Sequence, residues 1–145
     1  MEPEEMLAAL EEKDTAYAYV VLKELEALSE RSDILCPYAG HFAEMVCDSR
    51  YVMRVRGFRL LCRQCRWERC EDFPRLLESA MGILQDEKPT AVRQALAALT
   101  EVVQLRPELR EMIRKAVLQM DCRVYKDTVQ GLILKDRERL LEIAR

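Results

Sequence analysis

The sequence predicts an all-α protein, a stack of about three and a half helix pairs, and three observations lead there. Helix-forming Ala, Leu, Glu and Arg dominate, and only four glycines are spread over 145 residues. Apolar residues recur at helical spacing in segments of similar length joined by short turns. The segments also repeat: Met45-Val46 maps onto Ile83-Leu84 at a shift of 38, Leu76-Leu77 onto Met112-Ile113 at 36, and Arg56 onto Arg93 at 37. A period in this range marks a helical solenoid, in which each pair buries its apolar faces against its neighbours.

Taken in order, residues 4–12 predict a short capping helix with Met6, Leu7 and Leu10 inward. Asp14 or Thr15 offers an oxygen to cap a second helix running to Glu30, with Tyr17, Val20, Val21, Leu25 and Leu28 on one side. Pro37 suits the first turn of a third helix, which carries Tyr38, Phe42, Met45 and Val46 and stops near Asp48 and Ser49. A fourth begins at about Tyr51 and continues toward Arg69; Gly57 in its interior costs about 1 kcal/mol relative to alanine, so a close approach by neighbouring backbone is expected there.

Asp72 and Pro74 open a fifth helix, and residues 86–89 break it. The sixth is the most regular, with Val92, Ala95, Leu96, Leu99, Val102 and Val103 on one face. Pro107 starts a seventh. An eighth begins near Tyr125, with a kink or a separate last helix expected at Lys135 and Asp136. The whole reads as one domain over residues 1–145, with caps at 1–31 and helix pairs at 33–69, 71–106 and 107–145.

The N-terminal Met1-Glu2-Pro3-Glu4-Glu5 is acidic where a secretory signal is basic, and no run approaches the roughly 18 to 20 apolar residues of a membrane span, so a cytoplasmic location is expected. Six cysteines without a secretory signal predict reduced thiols.

Charge is concentrated. Residues 50–69 hold seven arginines against one acid, Glu68, in a chain of net charge −3, and the pI near 5.4 argues against bulk nucleic-acid binding. Val55, Phe58, Leu61, Cys62 and Cys65 share one helical face, and Arg56, Arg59, Arg63 and Arg66 form an adjoining stripe. Single-signed faces repel themselves, so the stripe either pairs with acids inside the protein or grips an anionic partner.

Asp86 followed by Val92-Arg93-Gln94-Ala95-Leu96-Ala97-Ala98-Leu99 resembles the second-helix signature of HEAT repeats, with looser copies at Asp48 with Val55-Arg56 and at Asp121 with Lys126. The resemblance implies a right-handed α-α superhelix of armadillo type. It also implies a ladder between repeats, falling on Asp86 and Arg93 and on Asp48 and Arg56. In that family the second helix of each pair lines a concave groove. Tyr51-Val52-Met53-Arg54-Val55-Arg56-Gly57, Pro107-Glu108-Leu109-Arg110 and Tyr125-Lys126-Asp127 make the whole chain similar to small bacterial HEAT-like proteins sometimes labelled "SufBD protein". The label carries no functional weight, because iron-sulfur scaffold subunits are associated with a β-helix and this chain reads as helices.

Chemistry-bearing motifs are sparse. Cys62-x-x-Cys65 with Cys70 beyond offers two thiols on one helical face, but no second pair completes a zinc site, so buried packing outweighs a redox-responsive thiol. His41 is the lone histidine, without a nucleophile beside it, and reads as packing or surface. Glu4-Glu5 and Glu11-Glu12 read as solvated faces. Trp67 and Tyr51 could stack on nucleic-acid bases, although Trp67 more readily closes a core layer. No catalytic residue, cofactor or metal ligand is assigned.

These readings point to a non-catalytic binding or scaffold module. Its expected partner is an acidic protein or peptide, and its expected binding surface is Arg54, Arg56, Arg59, Arg63, Arg66 and Arg93. The alternative, by resemblance, is a nucleic-acid-binding protein related to the HEAT-like glycosylases of DNA alkylation repair.

Overall fold

The computed structural model describes residues 2–11 and 15–145. Among them every regular element is helical: α1 (Pro3–Ala9), α2 (Thr15–Arg31), α3 (Ala39–Met45), α4 (Tyr51–Arg63), α5 (Phe73–Ala80), α6 (Pro89–Leu105), α7 (Arg110–Leu118) and α8 (Asp127–Ile143). Tight 3-10 turns at 36–38, 64–66, 81–85, 107–109 and 122–124 precede or extend them. Asp14 and Glu12, read as a cap and as part of a solvated face, lie outside the described residues, as does the side chain of Thr15. No helix is long and apolar enough to cross a membrane among the described residues.

Two boundaries differ from the sequence reading. The Arg50–Arg69 stretch leaves α-helical geometry at Gln64 and ends at Trp67, whose backbone is extended; residues 67–72 form a loop. The expected kink at Lys135 and Asp136 is missing, because α8 runs unbroken and Asp136 is held by an arginine of α6. Elsewhere prolines sit where a first turn tolerates a missing amide, at the starts of α5, α6 and the 107–109 turn.

The even-numbered helices are neighbours in chain order, α2 beside α4, α4 beside α6 and α6 beside α8, while the odd-numbered helices pack against them. Helix α4 touches α2, α3, α5 and α6 and is therefore buried on most of its circumference. Phe42, Phe58 and Phe73 are fully buried where α3, α4 and α5 meet, each contributing roughly 2–3 kcal/mol of transfer free energy.

Gly57 shows why α4 and α3 pack so closely. A Cβ built there would lie 2.5 Å from Met45 Cβ and 2.6 Å from the Phe42 carbonyl oxygen. The glycine is required for space and not for backbone freedom, since no described residue has positive φ.

The recurring aspartates have a common local task. Asp48, Asp86 and Asp121 each accept a hydrogen bond from the amide two residues on, at 2.8, 2.9 and 3.1 Å. Each closes an Asx turn, ahead of α4, α6 and the 122–124 turn.

Candidate functional site

The arginines of α4 and its extension radiate toward three different neighbours. Arg59 donates to both carboxylate oxygens of Glu26 on α2, at 3.2 and 2.6 Å, and to Gln94 Oε1 on α6 at 3.0 Å. The Tyr19 ring lies 6.0 Å from its guanidinium. Arg63 reaches Glu101 at 2.8 Å, Glu30 at 3.1 Å and Glu26 at 3.5 Å. Arg66 donates twice to Glu101 Oε1, at 3.1 and 2.6 Å, and once to the Glu30 carbonyl. Arg69 meets Asp33 at 3.5 Å on the surface.

These partners lie 33 to 38 positions away in the chain for Arg59, Arg63 and Arg66. That is close to the interval of 36 to 38 at which the apolar pattern recurs in the sequence. These arginines therefore tie α2 and α6 to α4 and its extension, and the pairs fix the register of the three helices. Arg59, Arg63 and Arg66 are balanced by Glu26, Glu30 and Glu101, so the face is close to neutral.

Arg63 shows which effect wins. Burial alone would lower its pKa, yet Glu101, Glu26 and Glu30 together raise it. Arg54 is likewise raised, by a bidentate pair with Asp86 at 2.7 and 3.0 Å, and it also donates to the carbonyls of Asp48 and Ser49.

Arg56 departs from the stripe assigned to it. It is buried, only 6% exposed, and points at the Leu10 carbonyl and Met53 sulfur. Burial lowers its pKa, with repulsion from Arg50 adding to the effect. A residue so placed ties α1 to α4 and is not part of an open binding surface. The 3.6-residue period puts Arg56 near Arg59 and Arg63, but its guanidinium turns to the Leu10 carbonyl at the end of α1.

The ladder implied by the HEAT resemblance is wired differently. Asp86 holds Arg54 and not Arg93; Arg93 reaches Asp136 on α8 at 2.7 Å; Asp48 holds Arg50 and not Arg56. Asp136 is the partner a sequence reading passes over, because it is one acid among many and only its distance of 43 positions from an arginine distinguishes it.

Between α2 and α6, over α4, runs a groove of about 520 Å³ lined by Tyr19, Arg59, Arg63, Gln94, Ala97 and Glu101 among others. Cys62 borders it, but burial raises its thiol pKa, and burial likewise pushes Cys65 up to about 12. Neutral buried thiols are poor nucleophiles. Iodoacetamide at about pH 8 is expected to label exposed Cys47 quickly and to leave Cys62 and Cys65 unmodified until the chain unfolds, as peptide mapping would show. Labelling of either in the folded state would contradict this burial.

The expectation of uniformly reduced thiols is corrected. Cys36 and Cys70 are joined in a disulfide, with Cα atoms 5.4 Å apart. The sequence grouped Cys70 with Cys62 and Cys65, whereas the loop at 67–72 carries it across to the turn before α3.

His41 is exposed on α3. Trp67 is partly buried against the core and donates from Nε1 to the Ser29 carbonyl at 2.7 Å, so it packs as a closing residue. Tyr51 is partly exposed, with the Lys88 ammonium 5.6 Å from its ring. No group of three His, Cys, Asp or Glu side chains placed to hold a metal occurs among the described residues.

No protein-family model, curated protein or solved structure matches the chain.

Proposed function

We propose that this protein is a non-catalytic binding module of HEAT-like, right-handed helical-repeat architecture whose α2–α4–α6 groove receives an acidic segment of a partner protein. The architecture is supported by the neighbour order of the even-numbered helices and by side-chain ties that recur at the repeat interval.

The observation that carries the binding reading is the state of Arg63 and Arg66. Both side chains remain 28% exposed, Arg63 lining the groove and Arg66 beside it on the groove residue Glu101, and one of Arg63's carboxylates, Glu30, is itself 52% exposed. A partner carboxylate can replace Glu30 on Arg63 without breaking the buried Glu26–Arg59 pair. The groove thus exchanges one anion for another, and its guanidinium groups are already oriented by Glu101 and Gln94. Affinity should be modest for any single carboxylate and should rest on several at once.

Fluorescence anisotropy with a labelled glutamate-rich peptide tests this. Glu30→Gln is expected to tighten binding by about fivefold, because it frees Arg63, and Arg63→Gln with Arg66→Gln to weaken it at least tenfold, matching roughly 1–2 kcal/mol for exposed-to-half-buried pairs. Identical isotherms for all three proteins would end the groove reading. Tight binding of duplex DNA with a steep salt dependence would favour the nucleic-acid alternative instead.

A further inference from the structure

The Cys36–Cys70 bridge differs from the other described sulfurs in having a partner while bordering open clefts, although both residues are largely buried. Cys36 begins the turn before α3, and Cys70 lies within the 67–72 loop that leads into α5. Both cysteines line a cleft of about 440 Å³ together with Pro37 and Arg69. A second cleft, of about 490 Å³, reaches Cys70 from the side of Cys65 and Arg106. Either is large enough for a small thiol.

The site also suits the reduced state. Gln64 Oε1 lies 3.8 Å from the Cys36 sulfur, and Gln64 is otherwise fixed by donating to Ser29 Oγ and to the Leu60 carbonyl. As a thiol, Cys36 has a proton to donate to this oxygen. A buried carbonyl oxygen held ready for that proton means the S–H form is accommodated without leaving a polar group unpaired. Besides the bridge, the loop is held by the Trp67–Ser29 hydrogen bond and the exposed Arg69–Asp33 pair.

We propose that Cys36 and Cys70 are a reversible dithiol–disulfide pair that exchanges with low-molecular-weight disulfides of the glutathione class and fastens loop 67–72 to the start of α3 when oxidised. In the forward direction one cysteine thiolate attacks a sulfur of the small disulfide, forming a mixed disulfide and expelling one small thiolate. The second cysteine then attacks the protein sulfur, forming the Cys36–Cys70 bond and expelling the other. The two expelled thiolates take up the two protons the cysteines gave up, and two electrons pass from the protein to the small disulfide. The reverse needs two small thiols. This pair is separate from the acidic-partner groove and does not depend on it.

The test uses the full chain, reduced with dithiothreitol, desalted and equilibrated with mixtures of reduced and oxidised glutathione. It is then alkylated and mapped by mass spectrometry, with thermal unfolding followed in parallel. Expected are a single 36–70 link, free thiols at buried Cys62, Cys65 and Cys122, Cys47 carrying at most a glutathione and no link within the chain, and an oxidised form that melts about 8 °C higher, as a 34-residue separation implies. Reduced glutathione in excess should reopen the link and lower the melting temperature again. Cys36→Ser and Cys70→Ser should each abolish both the link and the shift, whereas Cys47→Ser leaves both intact. Failure of the link to form under oxidised glutathione, links scattered over other cysteines, or a bridge that reduced glutathione does not open would overturn the proposal.

Discussion

Gly57→Val is expected to destabilise the protein by about 4 kcal/mol or more, the largest effect of any single change considered, and to leave much of the chain insoluble. The reason is geometric. A Cβ at position 57 lands 2.5 Å from Met45 Cβ, 2.6 Å from the Phe42 oxygen and 3.3 Å from the Val46 amide nitrogen. Two of these are backbone atoms and the third is rigidly attached to backbone, so no side chain can swing aside. Helix α3 would have to back away from α4, opening gaps around Phe42 and Phe58, both of which are fully buried. Gly57→Ala separates the causes: alanine returns about 1 kcal/mol of helix propensity, and a net loss of roughly 2–3 kcal/mol is still expected. Urea denaturation of the two variants checks both values, and an alanine variant as stable as wild type would show that α3 and α4 pack less closely than described.

How much of this was legible beforehand depends on whether the signal is local. Pro89 and the apolar face of α6 announce that helix in the sequence, because first-turn proline and 3.6-residue periodicity are properties of adjacent residues. Gly57 was legible for the same reason: an uncompensated helix-interior glycine implies something pressed against it. Partner choice was not. Nothing near Asp86 in the chain says that it holds Arg54, 32 positions back, in preference to Arg93, seven positions on. On one helix, residues seven apart share a face, but Asp86 lies in the turn before α6 and is aimed at α4. The Cys36–Cys70 contact is non-local in the same way, so a spacing argument fitted to Cys62 and Cys65 overlooked it.

The same distinction explains the arginine stripe. Read as a face, Arg56, Arg59, Arg63 and Arg66 look like one surplus of charge. In the folded chain α4 is surrounded, so consecutive members of the stripe meet different neighbours. Arg56 meets α1, Arg59 bridges α2 and α6, and Arg66 joins the end of α2 to α6. A nearly single-signed helix is then a central element whose counter-charges are supplied by its neighbours. That gives a physical reason for the acidic remainder of the sequence to be spread over both flanking helices.

Asp86→Ala is the second change expected to be severe, at about 3–4 kcal/mol, because it removes the acceptor from a largely buried pair and leaves Arg54 charged without a carboxylate. Asp86 joins three segments of the chain. Its carboxylate takes Arg54 from α4 and the Lys88 amide of its own turn, and its carbonyl accepts the Tyr125 hydroxyl at 2.5 Å from the segment before α8. Burial by itself would raise the carboxyl pKa. The bonds from Arg54 and Lys88 outweigh it, so the folded-state pKa is below the ordinary aspartate value. A depressed pKa contributes stability that is fully present above the unfolded-state value of about 4 and is lost as pH falls through the folded-state value. Asp86→Asn keeps the shape but not the charge. Denaturation midpoints of wild type and Asp86→Asn should therefore stand well apart at neutral pH and draw together as acid protonates Asp86 in the wild type. A constant gap between the two across that range would show that Arg54 draws its stability from the Asp48 and Ser49 carbonyls and not from Asp86.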